Sequence, residues 1–384
     1  MKICFVGACN LAVLAPQYRQ HQIGGESVQQ TLLARALAQR GHQVTMVVQD
    51  YGQRDGAEWD GIRVYKTYRP SAGLPVLRFF HPRWTGMWSA MARADADLYY
   101  VSESGMHVGL AALFCKRHRR RYVFRTASDA DCEPRRLMLK YARDRWLYEY
   151  GLRRADAILV QSAMQAEALS RHYGLTGRVA RMMVEKAQPA PARDIDLLWV
   201  SNIRSLKRPE RMLKLADDFP DASVHIAGGP MTGSEALFRD VMQAATLRRN
   251  VTFHGRLSYY DTGDLYGRAR LFVNTSDIEG FPNAYLQAWA RGVPVVTLID
   301  PDAIIEREGL GIAVASPDGL RDAAHRLLHD PAAWRAASER CRSFVAREYG
   351  DDKVLSVYLD AFELALRAQS AAPDVPIAEN PRNV

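Results

Sequence analysis

The chain runs twice through the same order of short apolar strands and amphipathic helices. The first copy opens with "KICFVG", a glycine-containing loop, the helix-like "SVQQTLLARALAQRG" and then "HQVTMVV". Apolar positions 28, 32, 33, 36 and 37 fall on one helical face, and the flanking runs are short and rich in β-branched residues. Further strand-like runs at "GIRVY", "DLYYVS", "RYVFRT" and "DAILVQ" alternate with helical stretches. This alternation favours a mostly parallel sheet covered on both faces, so the predicted fold class is α/β.

A proline- and alanine-rich stretch, "KAQPAPARD" at 186–194, interrupts this pattern, and the alternation then resumes from "DLLWVSN". Such a break indicates a domain boundary. The Pro-rich, polar end of the chain is typical of disorder. The predicted organisation is a first Rossmann-like domain over 1–185, a linker over 186–195, a second Rossmann-like domain over 196–345, a C-terminal helix over 346–368 and a disordered tail over 369–384.

Composition predicts a soluble globular protein in a reducing compartment. The 384 residues are 48% hydrophobic, which is enough for two cores. The five cysteines are odd in number and scattered, without the close pairs of metal or redox motifs. The start "MKICFVGAC" is too strand-like for a signal peptide, and no run approaches the ~18 apolar residues of a spanning helix. We therefore expect a cytoplasmic location.

A net charge of +8 favours anionic partners, namely a phosphorylated small molecule, a phospholipid surface or nucleic acid. Much of the charge lies in the first half, as in "CKRHRRR" at 115–121. That half also holds "LPVLRFFHPRWTGMW" at 74–88, which mixes arginines with aromatic residues. The basic run is either a solvated face or a surface that binds anionic membrane. The aromatic segment is either part of the core or a surface that lies at a bilayer interface.

Ligands of open parallel sheets bind at the carboxyl ends of the strands, so two such domains that face each other form a cleft lined by loops from both. Four post-strand loops stand out: "QIGGES", "FRTASDAD", "VSNIRSLKRP" and "NTSDIEGFPN". In the first, Gly24 and Gly25 precede a helix, where bare backbone can approach a phosphate or a sugar. In the third, Arg204 and Lys207 can hold a diphosphate, or they can be exposed residues at a helix start.

The fourth loop leads into "EGFPNAYLQAWARGVPVV", residues 279–296. Pro282 suits the first helical position, which leaves the N–H groups of Gly280 and Phe281 free for a ligand. Glu279 then lies in the cleft and can accept hydrogen bonds from sugar hydroxyls. Taken alone, it could instead only complement the helix dipole, a contribution of about 0.3–1 kcal/mol.

These segments together carry a family resemblance. The "GG" before the first helix, "SNIRSLKRP", "IAGGP", "FHGRLS" and "EGFPNAYLQAWARGVPVV", in this order, resemble retaining glycosyltransferases of the GT-B fold, family 4. The resemblance implies two Rossmann-like domains facing across a cleft, with a C-terminal helix that crosses back to the first domain. The first, over 1–185, would be the acceptor-side domain, and the second, over 196–345, the domain that binds the nucleotide-sugar donor. The family's two acids, separated by seven residues, fall on Glu279 and on Gln287, where this chain has an amide.

The resemblance also implies roles for the site residues. Glu279 would contact the transferred sugar and Gln287 the ribose, while Lys207 and Arg204 would stabilise the diphosphate as it leaves. The family's usual Gly-Arg reads Ser201-Asn202 here, so Arg204 would substitute for that arginine. The expected donor-binding residues are Gly24, Gly25, Asn202, Gly228, Leu257, Gly280, Phe281, Pro282, Asn283 and Gln287, of which Gly228 and Leu257 border the nucleobase.

On the acceptor side the chain departs from the family. Where many members have a histidine, "FRTASDAD" offers Ser128 and Asp129, which become the acceptor-side candidates. His107 and His118 lie elsewhere and are predicted to be surface residues. Two Asp-Ala-Asp triplets, 95–97 and 129–131, mimic the metal motif of another glycosyltransferase fold. The GT-B resemblance implies that no metal and no cofactor is needed, since cationic side chains and helix dipoles would neutralise the diphosphate.

The resemblance therefore implies retaining transfer of a hexose from a UDP- or GDP-linked sugar to a hydroxyl, with a saccharide or a lipid-linked saccharide of cell-surface polysaccharide assembly as acceptor. The enzyme would be cytoplasmic and peripheral on the inner face of the membrane. Two alternatives remain: a GT-B-like sugar-nucleotide epimerase, and a basic protein that binds nucleic acid or a membrane surface without transferase activity. Against nucleic acid, the aromatic residues do not alternate with basic ones as an RNA-binding sheet requires.

Overall fold

The computed structural model describes residues 1–21, 23–75, 77–185 and 192–370. Their strands form two separate sheets, one of eight strands in the first half of the chain and one of six in the second. Helices cover the faces of both sheets. This confirms the predicted α/β class with two parallel-sheet domains.

The strands are β1 (Lys2–Val6), β2 (Gln43–Val48), β3 (Ala57–Trp59), β4 (Ile62–Lys66), β5 (Leu98–Ser102), β6 (Arg121–Arg125), β7 (Ala157–Val160), β8 (Arg178–Val179), β9 (Ile195–Val200), β10 (Val224–Ala227), β11 (Val251–Gly255), β12 (Ala269–Asn274), β13 (Val295–Thr297) and β14 (Gly311–Ala313). The helices are α1 (Leu11–Leu14), α2 (Gly25–Gln39), α3 (Thr85–Ala94), α4 (Met106–His118), α5 (Ala142–Leu152), α6 (Ala163–Tyr173), α7 (Pro209–Asp217), α8 (Glu235–Thr246), α9 (Tyr259–Arg268), α10 (Asn283–Ala290), α11 (Ile304–Glu308), α12 (Gly319–His329), α13 (Pro331–Glu348) and α14 (Asp351–Ser370). Short 3-10 turns lie at Pro16–Tyr18, Leu77–Phe79, Asp129–Cys132, Ser205–Lys207 and Pro301–Ala303, and a π turn lies at Phe80–Trp84.

The first sheet has the order β3-β4-β2-β1-β5-β6-β7-β8. Every pair is parallel except β3 with β4, which is antiparallel. From β1 the chain moves outward to β2 on one side and later returns to β5 on the other. The point between β1 and β5 is therefore a topological switch, where the loops after the two strands diverge and leave a crevice.

The second sheet is wholly parallel in the order β11-β10-β9-β12-β13-β14. Its switch point lies between β9 and β12, since the chain leaves β9 for β10 and returns to β12 on the opposite side. The eleven strand-like runs of the sequence, from "KICFVG" at β1 to "VPVVTL" at β13, all form strands. The sequence reading missed β3, β8 and β14, which are two or three residues long and too short to show a hydrophobic period.

The C-terminal helix crosses back to the first domain, as the resemblance implies. On α14, Tyr358 and Phe362 pack against Tyr100 of β5 with ring centroids 6.3 and 5.9 Å apart. The Tyr358 hydroxyl donates a hydrogen bond to the Arg181 carbonyl at 3.0 Å. This helix therefore joins the end of the second domain to the first sheet.

Two predicted boundaries differ from the observed ones or lie outside the described residues. Helix is predicted over 346–368, but residues 346–348 belong to α13 and a separate helix begins at Asp351. The chain turns at Tyr349 and Gly350 between them, where helix-breaking glycine interrupts an otherwise helical pattern. Most of the predicted linker, residues 186–191, and the predicted tail from 371 onward lie outside the described residues.

The aromatic segment at 74–88 is partly buried in the core and partly exposed at the surface. Phe79 and Met87 are buried in the first domain, whereas Leu74, Leu77 and Phe80 are exposed.

Within the described part of the chain, no helix combines the length and the apolar character needed to span a bilayer.

The basic run at 115–121 is partly neutralised by acidic neighbours. Arg120 forms ion pairs with Asp95 and Asp97, and Arg121 forms one with Asp156 at 2.7 Å. These pairs lie at the amino-terminal ends of β5, β6 and β7. Some arginines of the run therefore form ion pairs that link neighbouring loops of the first domain.

Candidate active site

A cavity of about 600 Å³ lies between the two domains at the carboxyl ends of their parallel strands. The first domain contributes the amino-terminal turn of α2 and the loops after β1, β5, β6 and β7. The second contributes the loops after β9, β10, β11 and β12 and the start of α10. The cavity thus lies where two facing open sheets are expected to bind a ligand.

The residues expected to hold the diphosphate follow β9, and the predicted sugar-binding acid follows β12. Both strands border the switch point of the second sheet, so the fold brings Arg204, Lys207 and Glu279 together although 72 residues separate the last two. All three line the cavity. Thr275 joins the two loops, since its hydroxyl donates to the Lys207 carbonyl at 2.8 Å and accepts from the Trp199 indole at 2.9 Å.

Lys207 and Glu279 form an ion pair in which Nζ lies 2.5 Å from Oε1. Only 11% of the lysine side chain and 14% of the glutamate side chain are exposed. Burial lowers the pKa of Lys207, and the carboxylate of Glu279 opposes that shift. The Ser276 hydroxyl and the Asn274 amide also donate to Glu279 Oε1, at 2.7 and 3.3 Å. The pair is therefore a preformed charged group in the wall of the cavity.

Arg204 stands at the entrance of the Ser205–Lys207 turn, in an extended conformation with φ −157° and ψ 158°. Its Nε is buried without a hydrogen-bond partner among the described residues. A guanidinium beside the Lys207 ammonium lowers the pKa of that lysine further. Two cations on one wall, one of them with an unsatisfied donor, suit an anionic ligand such as a diphosphate.

The start of α10 differs in two details from the sequence-based expectation. Pro282 precedes the helix in an extended conformation (φ −69°, ψ 122°), and the helix begins at Asn283. The Phe281 N–H is not free for a ligand, because it donates to Gln161 Oε1 of the first domain at 2.9 Å. The expectation of a free N–H is wrong because the sequence around the helix start does not show that a side chain of the opposing domain accepts this hydrogen bond. Gly280 and Pro282 both line the cavity.

Amides bridge the domains beside the two glycines of the first loop. Asn202 Nδ2 donates to the Ile23 carbonyl at 3.0 Å, and Asn283 Nδ2 donates to the Gly25 carbonyl at 2.8 Å. Gln29 donates to Asn283 Oδ1 at 2.9 Å. The amino-terminal turn of α2, which begins at Gly25, is thereby held against the donor domain with its backbone facing the cavity.

The remaining donor-side candidates also line the cavity. Gly228 approaches the backbone so closely that a Cβ there would lie 1.9 Å from the Ser201 carbonyl oxygen. Leu257 and Gln287 lie in the same wall. Arg256, which sequence reasoning missed, is a third cation on this side of the cavity.

Comparison with known proteins identifies the family. The Glycosyltransferase Family 4 model matches residues 23–182, and the Glycosyl transferases group 1 model matches residues 197–330. The chain belongs to these glycosyltransferases. The sucrose-phosphate synthase of Thermosynechococcus elongatus superposes with a TM-score of 0.76 at 19% identity, over 95% of this chain and 99% of that one. The two-domain architecture is therefore the GT-B fold.

Curated relatives match part of this glycosyltransferase. The D-inositol 3-phosphate glycosyltransferase of Mycobacterium sp. (strain KMS) is 28% identical over 216 residues, 50% of this chain and 49% of that protein. The alpha-galactosylglucosyldiacylglycerol synthase of Streptococcus pneumoniae is 26% identical over 172 residues, 44% of this chain and 45% of that protein. The chain thus spans about half the length of the curated relatives that it matches.

On the acceptor side, the structure separates the two sequence candidates. Ser128 lines the cavity, whereas Asp129 accepts a hydrogen bond from Gln165 at 2.9 Å and is not part of the wall. Asp131 lies in the wall instead and accepts from the N–H groups of Ala127 and Ser128 at 2.7 and 3.1 Å. The sequence reading considered Asp131 only as part of a metal-like triplet.

Sequence reasoning also missed Glu26 and Glu103, two acids in the acceptor-side wall. Glu26 accepts from the fully buried Arg125 at 2.7 Å. Glu103 directly follows "DLYYVS", so its place after a predicted strand was a signal available from the sequence. The prediction of a surface position is wrong for His107, which is partly buried behind this wall with Nε2 3.0 Å from the Ser102 carbonyl. His118 is exposed as expected.

Proposed function

We propose that the protein transfers a hexose from a UDP- or GDP-linked sugar to an acceptor hydroxyl and retains the anomeric configuration. The observation that carries this proposal is the Lys207–Glu279 pair with Arg204 beside it, at the switch point of the donor sheet and facing the amino-terminal turn of α2. Membership of the glycosyltransferase family supports the reaction class. The arrangement joins cations for a leaving diphosphate to a carboxylate for sugar hydroxyls within one cavity.

Each side chain has a distinct task in this reaction. Lys207 and Arg204 stabilise the negative charge that develops on the diphosphate as the bond to the sugar breaks, a contribution that preorganised donors make in a site shielded from water. Glu279 holds sugar hydroxyls, and Gln287 binds the ribose. Leu257 and the bare backbone at Gly228 border the base. The departing phosphate accepts the proton of the attacking hydroxyl on the same face of the sugar, so no enzymic base is required.

We further propose that the transfer requires neither a metal ion nor a cofactor, because Arg204 and Lys207 supply the positive charge that a divalent cation would otherwise supply. Turnover should be unchanged after dialysis against a chelator. A loss of turnover that Mg²⁺ or Mn²⁺ restores would contradict this part of the proposal.

A thermal-shift panel of UDP- and GDP-sugars tests the donor assignment. A ligand present at 100 times its dissociation constant stabilises the folded state by about 2.7 kcal/mol, so the true donor should raise Tm clearly. The Lys207→Met variant is the matched control and should lose most of that shift. A panel in which no nucleotide sugar changes the Tm of the wild type would refute donor binding.

The acceptor that we propose is a lipid-linked saccharide reached at the cytoplasmic face of an anionic membrane. Exposed apolar side chains and exposed basic side chains share one surface of the first domain, called here the apolar–basic patch. It consists of Leu74, Leu77, Arg78, Phe80, Met138, Lys140, Tyr141, Arg143, Arg145 and Trp146. Its two segments touch, since the Arg143 guanidinium lies 3.8 Å from the centre of the Phe79 ring. Mixed apolar and basic surfaces of this kind suit a bilayer interface. The Streptococcus pneumoniae relative is named as a synthase of a glycosylated diacylglycerol, which also supports a lipid acceptor.

Flotation with liposomes tests the membrane assignment. The protein should float with vesicles that contain an anionic phospholipid, and Leu77→Ser/Phe80→Ser should reduce the bound fraction. Leu247→Ser is the control, because Leu247 is an even more exposed apolar residue and belongs to the second domain. Equal binding to anionic and zwitterionic vesicles, or equal losses in the two variants, would remove the membrane from the proposal.

A further inference from the structure

We propose that the acceptor half of the cavity selects an uncharged saccharide, that Glu103 binds its hydroxyl groups, and that a phosphate group is excluded from this position. The inference rests on the transferase function proposed above, which it deepens by naming the chemical class of the acceptor. The phosphate of a lipid carrier would then lie outside this half of the cavity.

The position of Glu103 is that of a ligand-binding residue. It directly follows β5, which borders β1 at the switch point of the first sheet, where open parallel sheets bind their ligands. Its backbone adopts the left-handed conformation with φ +59°, which is uncommon for a residue other than glycine. Its N–H donates to the Arg125 carbonyl at 3.2 Å, which holds this conformation in place. Such strained positions cluster where a side chain must be aimed at a ligand.

The carboxyl group of Glu103 has no hydrogen-bond or ion-pair partner among the described residues, although it lines the cavity. The residue is exposed at the cavity surface, but the protein atoms around the cavity displace part of the water near the carboxyl group, and this desolvation, with the charges of Glu26 and Asp131, raises its pKa to about 7. Near neutral pH the group is therefore present both as an acid that donates and as a carboxylate that accepts. Sugar hydroxyls, which also donate and accept, match both forms.

A second unsatisfied acceptor lies in the same wall. The Glu26 side chain is only 10% exposed, and its Oε1 accepts from Arg125 and from Gln161 Nε2 at 2.7 and 3.1 Å. Its Oε2 is buried without a partner in the described part of the protein. A buried carboxylate oxygen without a hydrogen bond is costly, so this part of the wall lacks donors rather than acceptors and favours a ligand that donates hydrogen bonds.

The charges of the two halves of the cavity are opposite. On the donor side, the wall contains Arg204, Lys207 and Arg256. On the acceptor side, the described wall residues of the first domain include Glu26, Glu103 and Asp131 and one histidine, His21, which stacks on Tyr51, but no lysine or arginine. Arg125 lies behind this wall, and its charge is matched by Glu26. A phosphate beside Glu103 would therefore meet acids and no lysine or arginine of that wall, whereas uncharged hydroxyls would meet hydrogen-bonding groups.

The test measures release of the nucleotide from the donor. Release without an acceptor first establishes that the donor binds and is slowly hydrolysed. Methyl and octyl glycosides of glucose, galactose and mannose are then added as acceptors, each beside its 6-phosphate, up to 100 mM. We expect at least one uncharged glycoside to accelerate release, and its 6-phosphate to be at least tenfold poorer in kcat/KM. Phosphates that serve equally well, or a panel without any active uncharged glycoside, would overturn the inference.

Variants separate a binding role from a structural one. Glu103→Gln should raise the acceptor KM about tenfold and leave the donor KM within twofold. Glu103→Lys should narrow the preference for the uncharged glycoside over its 6-phosphate by at least tenfold. Glu58→Gln, at an exposed glutamate on the edge strand β3, is the matched control and should match the wild type. An acceptor KM and a phosphate preference that stay unchanged in both Glu103 variants would refute the inference. Absence of donor binding in the wild type would instead refute the proposed function.

Discussion

The Lys207–Glu279 pair gives a prediction whose size follows from the structure. Removing one member of a fully buried pair typically costs about 3–5 kcal/mol of unfolding free energy, because the other charge is left uncompensated. Here each variant keeps some compensation. In Lys207→Met, the Ser276 and Asn274 donors still bind the carboxylate, and in Glu279→Gln the amide oxygen still accepts from the lysine. We therefore expect a loss of about 2–3 kcal/mol in each single variant, just below that range.

The double variant Lys207→Met/Glu279→Gln removes both charges and should cost at least ~1 kcal/mol less than the sum of the single losses. Urea unfolding of the ligand-free protein measures this, with far-UV circular dichroism and tryptophan fluorescence followed together to check that the two domains unfold in one transition. The control cycle uses Lys214 and Asp318, whose pair at 3.4 Å has side chains that are 77% and 86% exposed. Its coupling should stay below ~0.5 kcal/mol. Additive losses at Lys207 and Glu279 would refute the buried pair.

The same variants separate the two roles in the cavity. Lys207→Met removes a charged hydrogen bond to the diphosphate, a loss of about 1.5–3 kcal/mol, so the Kd of the free nucleoside diphosphate should rise roughly 10- to 150-fold. Glu279→Gln weakens the expected contact to the sugar and the pair with Lys207 but removes no group that binds the diphosphate, so it should leave that Kd within about threefold while turnover falls. Isothermal titration calorimetry with the nucleoside diphosphate gives the Kd of each variant. An equal loss of nucleotide affinity in the two variants would contradict the division of roles.

Three further predictions concern residues around the cavity. Arg125→Met leaves the Glu26 carboxylate uncompensated and should cost about 3–5 kcal/mol of unfolding free energy, part of which Glu26→Gln restores; a single variant as stable as the wild type in urea would contradict this. Gly228→Ala places a methyl group against a backbone oxygen and should lower both Tm and donor affinity. Gly24→Ala is the control and should change Tm little, because nothing lies within 4 Å of the added Cβ. Equal shifts of Tm in the two variants would be inconsistent with the close approach at Gly228. The pKa of Glu103 is raised from 4.5 to about 7, so the folded protein keeps a proton that the unfolded chain loses, and stability from this group falls as the pH rises through that window. The Tm of Glu103→Gln relative to the wild type should therefore be higher at pH 8 than at pH 5, and a difference independent of pH would count against the shift.

The sheets were largely predictable, because each long strand carries a local pattern of apolar residues between turns. The donor side of the site was predictable for the same reason: Arg204, Lys207 and Glu279 each follow a recognisable strand, and parallel strands end at the same edge. The pairing of Lys207 with Glu279 was not predictable from patterning. It depends on β9 and β12 being neighbours, which the order of elements along the chain does not fix.

The acceptor side was harder to predict, because its residues act through contacts between distant segments. Gln161 binds the Phe281 N–H across the cavity, and no local feature of "AILVQS" indicates that contact. Asp129 and Asp131 are equally plausible in the sequence, and only the 3-10 turn at Asp129–Cys132 decides which of them faces the cavity. Glu103 could have been found by applying the rule for post-strand loops to every strand.

The anomeric configuration of the first product tests the central proposal most directly. The nucleotide sugar that binds in the thermal-shift panel is incubated with enzyme and the accepted glycoside, and proton NMR follows the H1–H2 coupling of the transferred sugar during the first turnovers. We expect the product to have the same anomeric configuration as the donor, and we expect Lys207→Met to slow its formation. An inverted product, or an epimerised donor without any transfer, would contradict it.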